Sequence, residues 1–131
     1  MQDVRHISIY IARSPGDVYA FASNPVNLPL WAEGLARSGV KQEGQAWLVE
    51  APFGRVRIRF AESNGFGVLD HDVELDSGVI VHNPVRVLPN GNGCEFVFSL
   101  FRQPDMSDEQ FFADRLAVEK DLKRLKQLLE Q

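Results

Sequence analysis

The chain has 131 residues, 44% hydrophobic and 24% charged, an ordinary balance for a single globular domain able to bury about two-thirds of its unfolded surface. Its net charge of −4 and the absence of any Lys/Arg run argue against binding to nucleic acid, polyphosphate or an anionic membrane. The single cysteine, Cys94, rules out an internal disulfide, and no apolar run approaches the ~20 residues of a membrane-spanning helix.

The opening residues lack a basic n-region, a long apolar core and a small-residue cleavage site, so no signal peptide is expected and a cytoplasmic location is the default. Residues 5–12 alternate as a strand, with Ile7, Ile9 and Ile11 on one face and His6, Ser8 and Tyr10 on the other. A helix is predicted next: Ser14 suits the N-cap, Pro15 the first helical position and Asp17 a capping box, with Val18, Phe21 and Ala22 as its apolar stripe. Asn24-Pro25 ends it. Pro25 and Pro29 confine the next helical segment to a short one ending near Trp31-Ala32-Glu33. Residues 38–43 and 46–51 read as strands around Glu43-Gly44-Gln45, with Trp47, Val49 and Ala51 inward and Glu50 outside beside Arg57.

From Arg55 to Leu100 four further strands are expected, joined by three turns. Asn64-Gly65 is the strongest hairpin signal, a two-residue type I′ turn. It sets Arg59, Arg57 and Arg55 opposite Asp70, Asp72 and Glu74 on one face, and Phe60, Ile58 and Val56 opposite Leu69, His71 and Val73 on the other. A three-residue turn at Asp76-Ser77-Gly78 then places His71 opposite Asn83, Val73 opposite Val81 and, outside, Asp72 opposite His82. A last turn over Pro89 to Asn92 sets Val85 opposite Phe96, Val87 opposite Cys94 and Arg86 opposite Glu95, with Pro84 as a candidate bulge. Beyond Ser107 the period becomes helical. Ser107 and Gln110 form a capping box, Glu119 and Lys123 an i,i+4 pair, and Phe111, Phe112, Leu116, Ala117, Val118, Leu122, Leu125, Leu128 and Leu129 a broad apolar stripe.

An antiparallel sheet with one apolar face needs a cover, and only the final helix is long and apolar enough to provide it. The expected fold is therefore α+β: a curved antiparallel sheet of about seven strands wrapped around a long C-terminal helix, with two short helices after the first strand, all in one domain over 1–131. This layout, with Ser14-Pro15-Gly16-Asp17-Val18-Tyr19-Ala20-Phe21 after the first strand and Asn24-Pro25 followed by Trp31, resembles the START-like helix-grip superfamily, and within it the polyketide cyclase/dehydrase and lipid-transport (SRPBCC) branch. The resemblance implies a deep cavity between sheet and helix for an apolar or aromatic molecule. Carriers, hormone receptors, cyclases and ubiquinone-binding proteins share it, and some relatives dimerise. The iron-dependent oxygenase branch is much longer and does not match.

Within this frame His71 and Asn83 are the polar residues in the middle of an otherwise apolar inner face. Together they suit recognition of a ligand carbonyl or hydroxyl, or, in an enzyme, an acid–base histidine with an oxyanion-stabilising amide. A core histidine satisfied by Asn83 or a water is the plain alternative. Trp31, Ile58, Phe60, Val81, Phe96, Phe98, Phe112 and Leu116 are expected to line the space around them, with Trp31 and Trp47 candidates for its mouth, and Arg102 at the strand end suited to a ligand carboxylate or to solvent. Asp70-His71-Asp72 is not a relay, because alternation turns both aspartates away from the histidine. His6, His71, His82 and Cys94 share no metal-ligand spacing, and no phosphate loop, dinucleotide fingerprint or Ser/His/Asp arrangement is present, so neither metal nor cofactor is expected. The residues support three readings: a binder of a small apolar molecule without stable membrane insertion, a cofactor-free cyclase, dehydratase or isomerase using His71, or an interaction module with a filled core. A homodimer is compatible with each.

Overall fold

Each helix is started by the residue suited to start it. Ser14 Oγ accepts from the Asp17 N–H at 3.2 Å and begins α1 (Pro15–Ala22) after β1 (Val4–Ile11). The Asp17 carboxylate turns to Arg13 at 2.9 Å instead, so only half of the expected box forms. Asn24 caps a single 3-10 turn (Pro25–Asn27) that leads into α2 (Leu28–Trp31). At the far end both halves of the Ser107–Gln110 box are made, at 3.0 and 3.1 Å, and open α3 (Asp108–Leu129). Arg115 takes Glu119 at 3.2 Å, in place of the expected Glu119–Lys123 pair. The computed structural model describes residues 1–131 except Gly34, Arg37 and Ser38, so one end of the strand expected over 38–43 lies outside the described residues.

Between the helices run β2 (Lys41–Glu43), β3 (Ala46–Ala51), β4 (Gly54–Phe60), β5 (His71–Leu75), β6 (Ile80–Asn83), β7 (Val85–Asn90) and β8 (Gly93–Phe101). All pairings are antiparallel, in the orders β1-β8-β7 and β2-β3-β4-β5-β6. The described residues thus give eight strands where about seven were expected, because Pro84, which has no N–H to donate, separates β6 from β7. The two sheets stay joined across this break. Ser99 N–H donates to Pro84 O at 3.0 Å, Leu69 N–H donates to Val85 O at 2.8 Å, and Val68 bridges Arg86.

The β5–β6 register is as expected: His71 faces Asn83, Asp72 faces His82 and Val73 faces Val81, around a turn in which Gly78 takes φ 90°. Two other registers differ by two residues. In β4–β5, Phe60 faces His71, Ile58 faces Val73 and Arg59 faces Asp72. In β7–β8, Val85 faces Phe98 and Val87 faces Phe96, because the loop is the two-residue Gly91-Asn92. A shift of two preserves which face every side chain occupies, so the apolar inner row survives while the outer ion pairs change partners. Arg59 pairs with Glu74 and Arg57 with Glu43, both at 3.0 Å, and Arg55 pairs with Glu50 at 3.3 Å. Arg86 pairs with Asp70 at 2.8 Å rather than with Glu95.

Asn64 explains the first shift. Its carboxamide accepts from Phe66 N–H (2.9 Å) and Val68 N–H (3.1 Å) and donates to Glu62 O (2.8 Å) and Val68 O (3.0 Å). The residue thus organises a loop over 61–70 instead of turning a tight hairpin. Gly67 then lies flat against β7, at φ 71°, where a Cβ would collide with the Val87 carbonyl. We predict that Asn64→Ala lowers unfolding free energy by about 1–3 kcal/mol, read from urea denaturation at unchanged m value. An unaltered midpoint would show that the carboxamide does not hold this loop.

Candidate ligand cavity

α3 is attached to the rest of the fold at its two ends. At the C-terminal end Arg13 donates to Leu129 O (2.6 Å), Lys126 to Tyr10 O (2.7 Å) and the Ala12 N–H to the Glu130 carboxylate (2.8 Å). At the other end Arg102 donates to Met106 O (2.8 Å), pairs with Asp108 (2.6 Å) and stacks over buried Phe111. This network fully occupies Arg102, which is not in the cavity lining. Between the first half of the helix and the sheet a cavity of about 500 Å³ remains.

Its walls come from four directions. α1, α2 and the residues after α2 supply Ala22, Leu28, Trp31 and Ala32; β5 to β8 supply His71, Val73, Val81, Asn83, Val85, Phe96 and Phe98; α3 supplies Asp114, Ala117, Val118, Asp121 and Leu122. Phe60 and Leu69 complete the wall beside His71. The exposed lining residues, Phe53, Val79, Pro104 and Asp114, place the mouth where two hairpin turns and the β8–α3 segment meet the first half of α3.

Most of the expected lining residues are present: His71, Asn83, Trp31, Phe60, Val81, Phe96 and Phe98. Three are not. Ile58 is fully buried in the core, because the two-residue shift sets it against Val73 and puts Phe60 beside His71. Phe112 and Leu116 are 54% and 47% exposed. At about 100° per residue they fall on the side of α3 away from Val118 and Leu122, and Phe112 lies under the Arg115 guanidinium instead. Trp31 forms buried wall against Phe96, ring centroids 5.8 Å apart, and Trp47 takes no part in the lining. Cys94 is buried, and burial pushes its thiol up.

Two cavity residues were not anticipated, Asp114 and Asp121. A charge beside an apolar stripe reads as its solvated flank. The available signal was position: both lie within about 60° of Val118, inside the stripe itself. Burial raises the Asp114 carboxyl above the ordinary aspartate range, and the residue has no hydrogen bond or ion pair among the described residues.

His71 is the one buried polar side chain among the described residues. Its Nδ1 lies 3.2 Å from Leu69 O, so it carries the proton and donates. Nε2 is then an acceptor, 3.4 Å from the Asn83 amide nitrogen. Phe60 and Phe98 pack on the ring at centroid distances of 5.4 and 6.2 Å. Burial depresses the imidazole below the ordinary histidine range, and the Leu69 hydrogen bond offsets only part of that. The site therefore presents a neutral imidazole and a carboxamide in an apolar wall. Asp70 and Asp72 point away, to Arg86 and to His82 at 2.6 Å. No cluster of three or more His, Cys, Asp or Glu side chains among the described residues is arranged to hold a metal ion, and no helix is long and apolar enough to cross a membrane.

A sheet gripping a terminal helix over a cavity defines the START-like helix-grip class. Within it, residues 2–130 match the family described as polyketide cyclase / dehydrase and lipid transport, and the chain belongs to that family. No curated protein matches the sequence. Among solved structures, a START superfamily protein from Mycobacterium smegmatis superposes with a TM-score of 0.78 at 11% identity, covering 100% of this chain and 99% of that one. The Aha1 dimer from Colwellia psychrerythraea gives 0.75 at 15%, covering 98% and 96%. The protein XoxI from Bacillus cereus gives 0.73 at 17%, covering 96% and 94%. At these identities the likeness is one of fold.

The His71 environment sets a pH dependence. Its folded-state pKa lies below the unfolded value of about 6.5, so protonation favours the unfolded chain. The stability that neutral His71 contributes is complete above that value and is lost as pH falls below it. We predict that the stability of the protein relative to His71→Phe declines between pH 7.5 and 5.5, with a slope no steeper than about 1.4 kcal/mol per pH unit. Parallel stability curves for the two proteins would contradict this reading of the histidine.

Proposed function

We propose that the protein binds a small, mostly apolar or aromatic molecule, without a cofactor, in the cavity between the sheet and α3, and that His71 and Asn83 provide the polar recognition. The supporting observation is the cavity itself. Its volume of about 500 Å³ falls within the ~300–1,000 Å³ of small-molecule sites. The lining is almost entirely apolar, so water filling the cavity finds few hydrogen-bond partners there. An apolar ligand displaces that water and buries its own surface against the wall. The same void weighs against a filled-core interaction module.

Binding is favoured over acid–base catalysis by the hydrogen bonds of His71. Nδ1 is held by a backbone carbonyl and not by a carboxylate, and Asp70 and Asp72 pair elsewhere, so no second titratable group among the described residues is coupled to the ring as an acid–base partner. A ligand hydroxyl can enter the long 3.4 Å His71–Asn83 contact, donating to Nε2 and accepting from the amide.

Native mass spectrometry of the purified protein, followed by release under denaturing conditions, tests the reading. A discrete non-covalent mass is expected, with occupancy reduced about tenfold or more in His71→Leu and Asn83→Leu, both retaining the parent circular dichroism. Equal occupancy in both variants would remove these two residues from recognition.

A further inference from the structure

We propose that the open edge of β1 is a docking site for an extended acidic segment of a partner protein, which joins the sheet as a further strand and lays its carboxylates against cations of β1 and α3. The surface is separate from the ligand cavity, and the inference does not depend on the binding function above.

The backbone hydrogen bonds locate the site. β1 ends its sheet and pairs, among the described residues, with β8 alone. The Arg102 N–H donates to Asp3 O at 2.8 Å, and these two residues stand opposite one another, one step beyond the Val4–Phe101 pair. Bonded and non-bonded pairs alternate along an antiparallel ladder. The odd-numbered residues of β1 therefore bond to β8, and the main-chain groups of Val4, His6, Ser8 and Tyr10 point to the open side.

Both ends of that side are occupied. Arg5 donates to Val4 O at 3.0 Å, Lys126 donates to Tyr10 O at 2.7 Å, and the Ala12 N–H donates to Glu130 at 2.8 Å. In the middle, the N–H and C=O groups of His6 and Ser8 have no partner among the described residues. A row of unpaired donors and acceptors on an edge strand is a template for another strand, and here it is short and bounded.

The groove beside this edge selects the occupant by charge. Arg5, Ile7 and Ile9 form one wall, and Arg115, Glu119 and Lys123, a ridge of α3 with a spacing of four, form the other. Arg115 and Glu119 pair with each other at 3.2 Å. Arg5 has a main-chain carbonyl and the Phe111 ring, but no carboxylate, and Lys123 has no ion pair among the described residues. Asp3 and Asp108, near the Val4 end, are both drawn to Arg102, at 3.7 and 2.6 Å. The groove thus carries uncompensated positive charge on a protein whose net charge is −4. A second copy of this chain would bring the same cations to the edge, so self-pairing opposes like charges, whereas a segment bearing carboxylates complements them. Alternate residues of an added strand share one face, so carboxylates at every second position reach Arg5 and Lys123 together.

The test is an NMR titration of ¹⁵N-labelled protein at pH 7.5 and low salt with the capped peptide acetyl-Glu-Val-Glu-Val-Glu-Val-Glu-amide. Saturable shifts and slowed hydrogen exchange are expected at the His6 and Ser8 amides. The counterpart with lysine at every glutamate position is expected to bind at least about fivefold more weakly. Lys123→Glu, on an exposed helix position, is expected to weaken the acidic peptide by about threefold or more at unchanged circular dichroism. Absence of binding at millimolar peptide, unprotected His6 and Ser8 amides in the bound state, or equal affinity for the acidic and basic peptides would each overturn the proposal.

Discussion

The structure depends on how α3 is held. Its ends are fixed by strong, specific bonds, from Arg13, Ala12 and Lys126 at one end and from Arg102 at the other. Its middle spans the gap between them. Leu125 and Leu129 belong to the same buried cluster as Ile11, Val18 and Cys94, so the C-terminal half of the helix is packed into the core. Nearer its start, Ala117 and Val118 present short side chains to the cavity, Val118 also packing at the edge of the core. A core normally collapses onto such a gap, because interiors pack at the density of organic crystals. Here α3 is bonded at both ends and packed along its C-terminal half, and the cavity lies between its first half and the sheet.

The same constraint gives the polar residues their meaning. His71 and Asn83 are set opposite one another by the β5–β6 pairing, on a face otherwise built of valine, leucine and phenylalanine. In a filled core this pair would be only a satisfied polar contact. Under the proposed binding function, the pair facing the cavity would orient a ligand's polar group, and the rings of Phe60 and Phe98 that pack on His71 would form part of the apolar wall around it. Asp114 at the mouth and the Trp31 indole in the wall lie beyond this pair, so polar groups are spread around the volume and not gathered into a catalytic cluster. That distribution is suited to reading the shape and head group of a ligand.

How much of this was legible in the chain depends on the kind of information each feature carries. Alternation fixes facing, and facing is unaffected by a shift of two. His71, Asn83, Val81, Phe96 and Phe98 therefore belong to the inner row even though two of the registers differ from expectation. Register itself was legible only where the turn geometry was local, as at Asp76-Ser77-Gly78. Asn64 misled because the same side chain that favours a type I′ turn also organises longer loops, and its choice depends on Val87, which lies more than twenty residues away. On α3 the error was one of angle. Nine apolar residues read as one broad stripe, but the arc that meets the core and cavity leaves out Phe112 and Leu116 and takes in Asp121, with Asp114 exposed at the mouth. Composition marks a helix as amphipathic; which aspartates it turns inward depends on where its ends are tied.

The central claim is that the space under α3 is a ligand site and not an incidental void. The most direct measurement is methyl-resolved NMR during a titration with N-phenyl-1-naphthylamine. The account predicts saturable shifts at Val73, Val81, Val85, Val118 and Leu122, which line the cavity, with little change at the packed core methyls of Val56 and Leu125. Shifts confined to exposed methyls such as Val26, Ile80 and Leu88, with the cavity set silent, would contradict it.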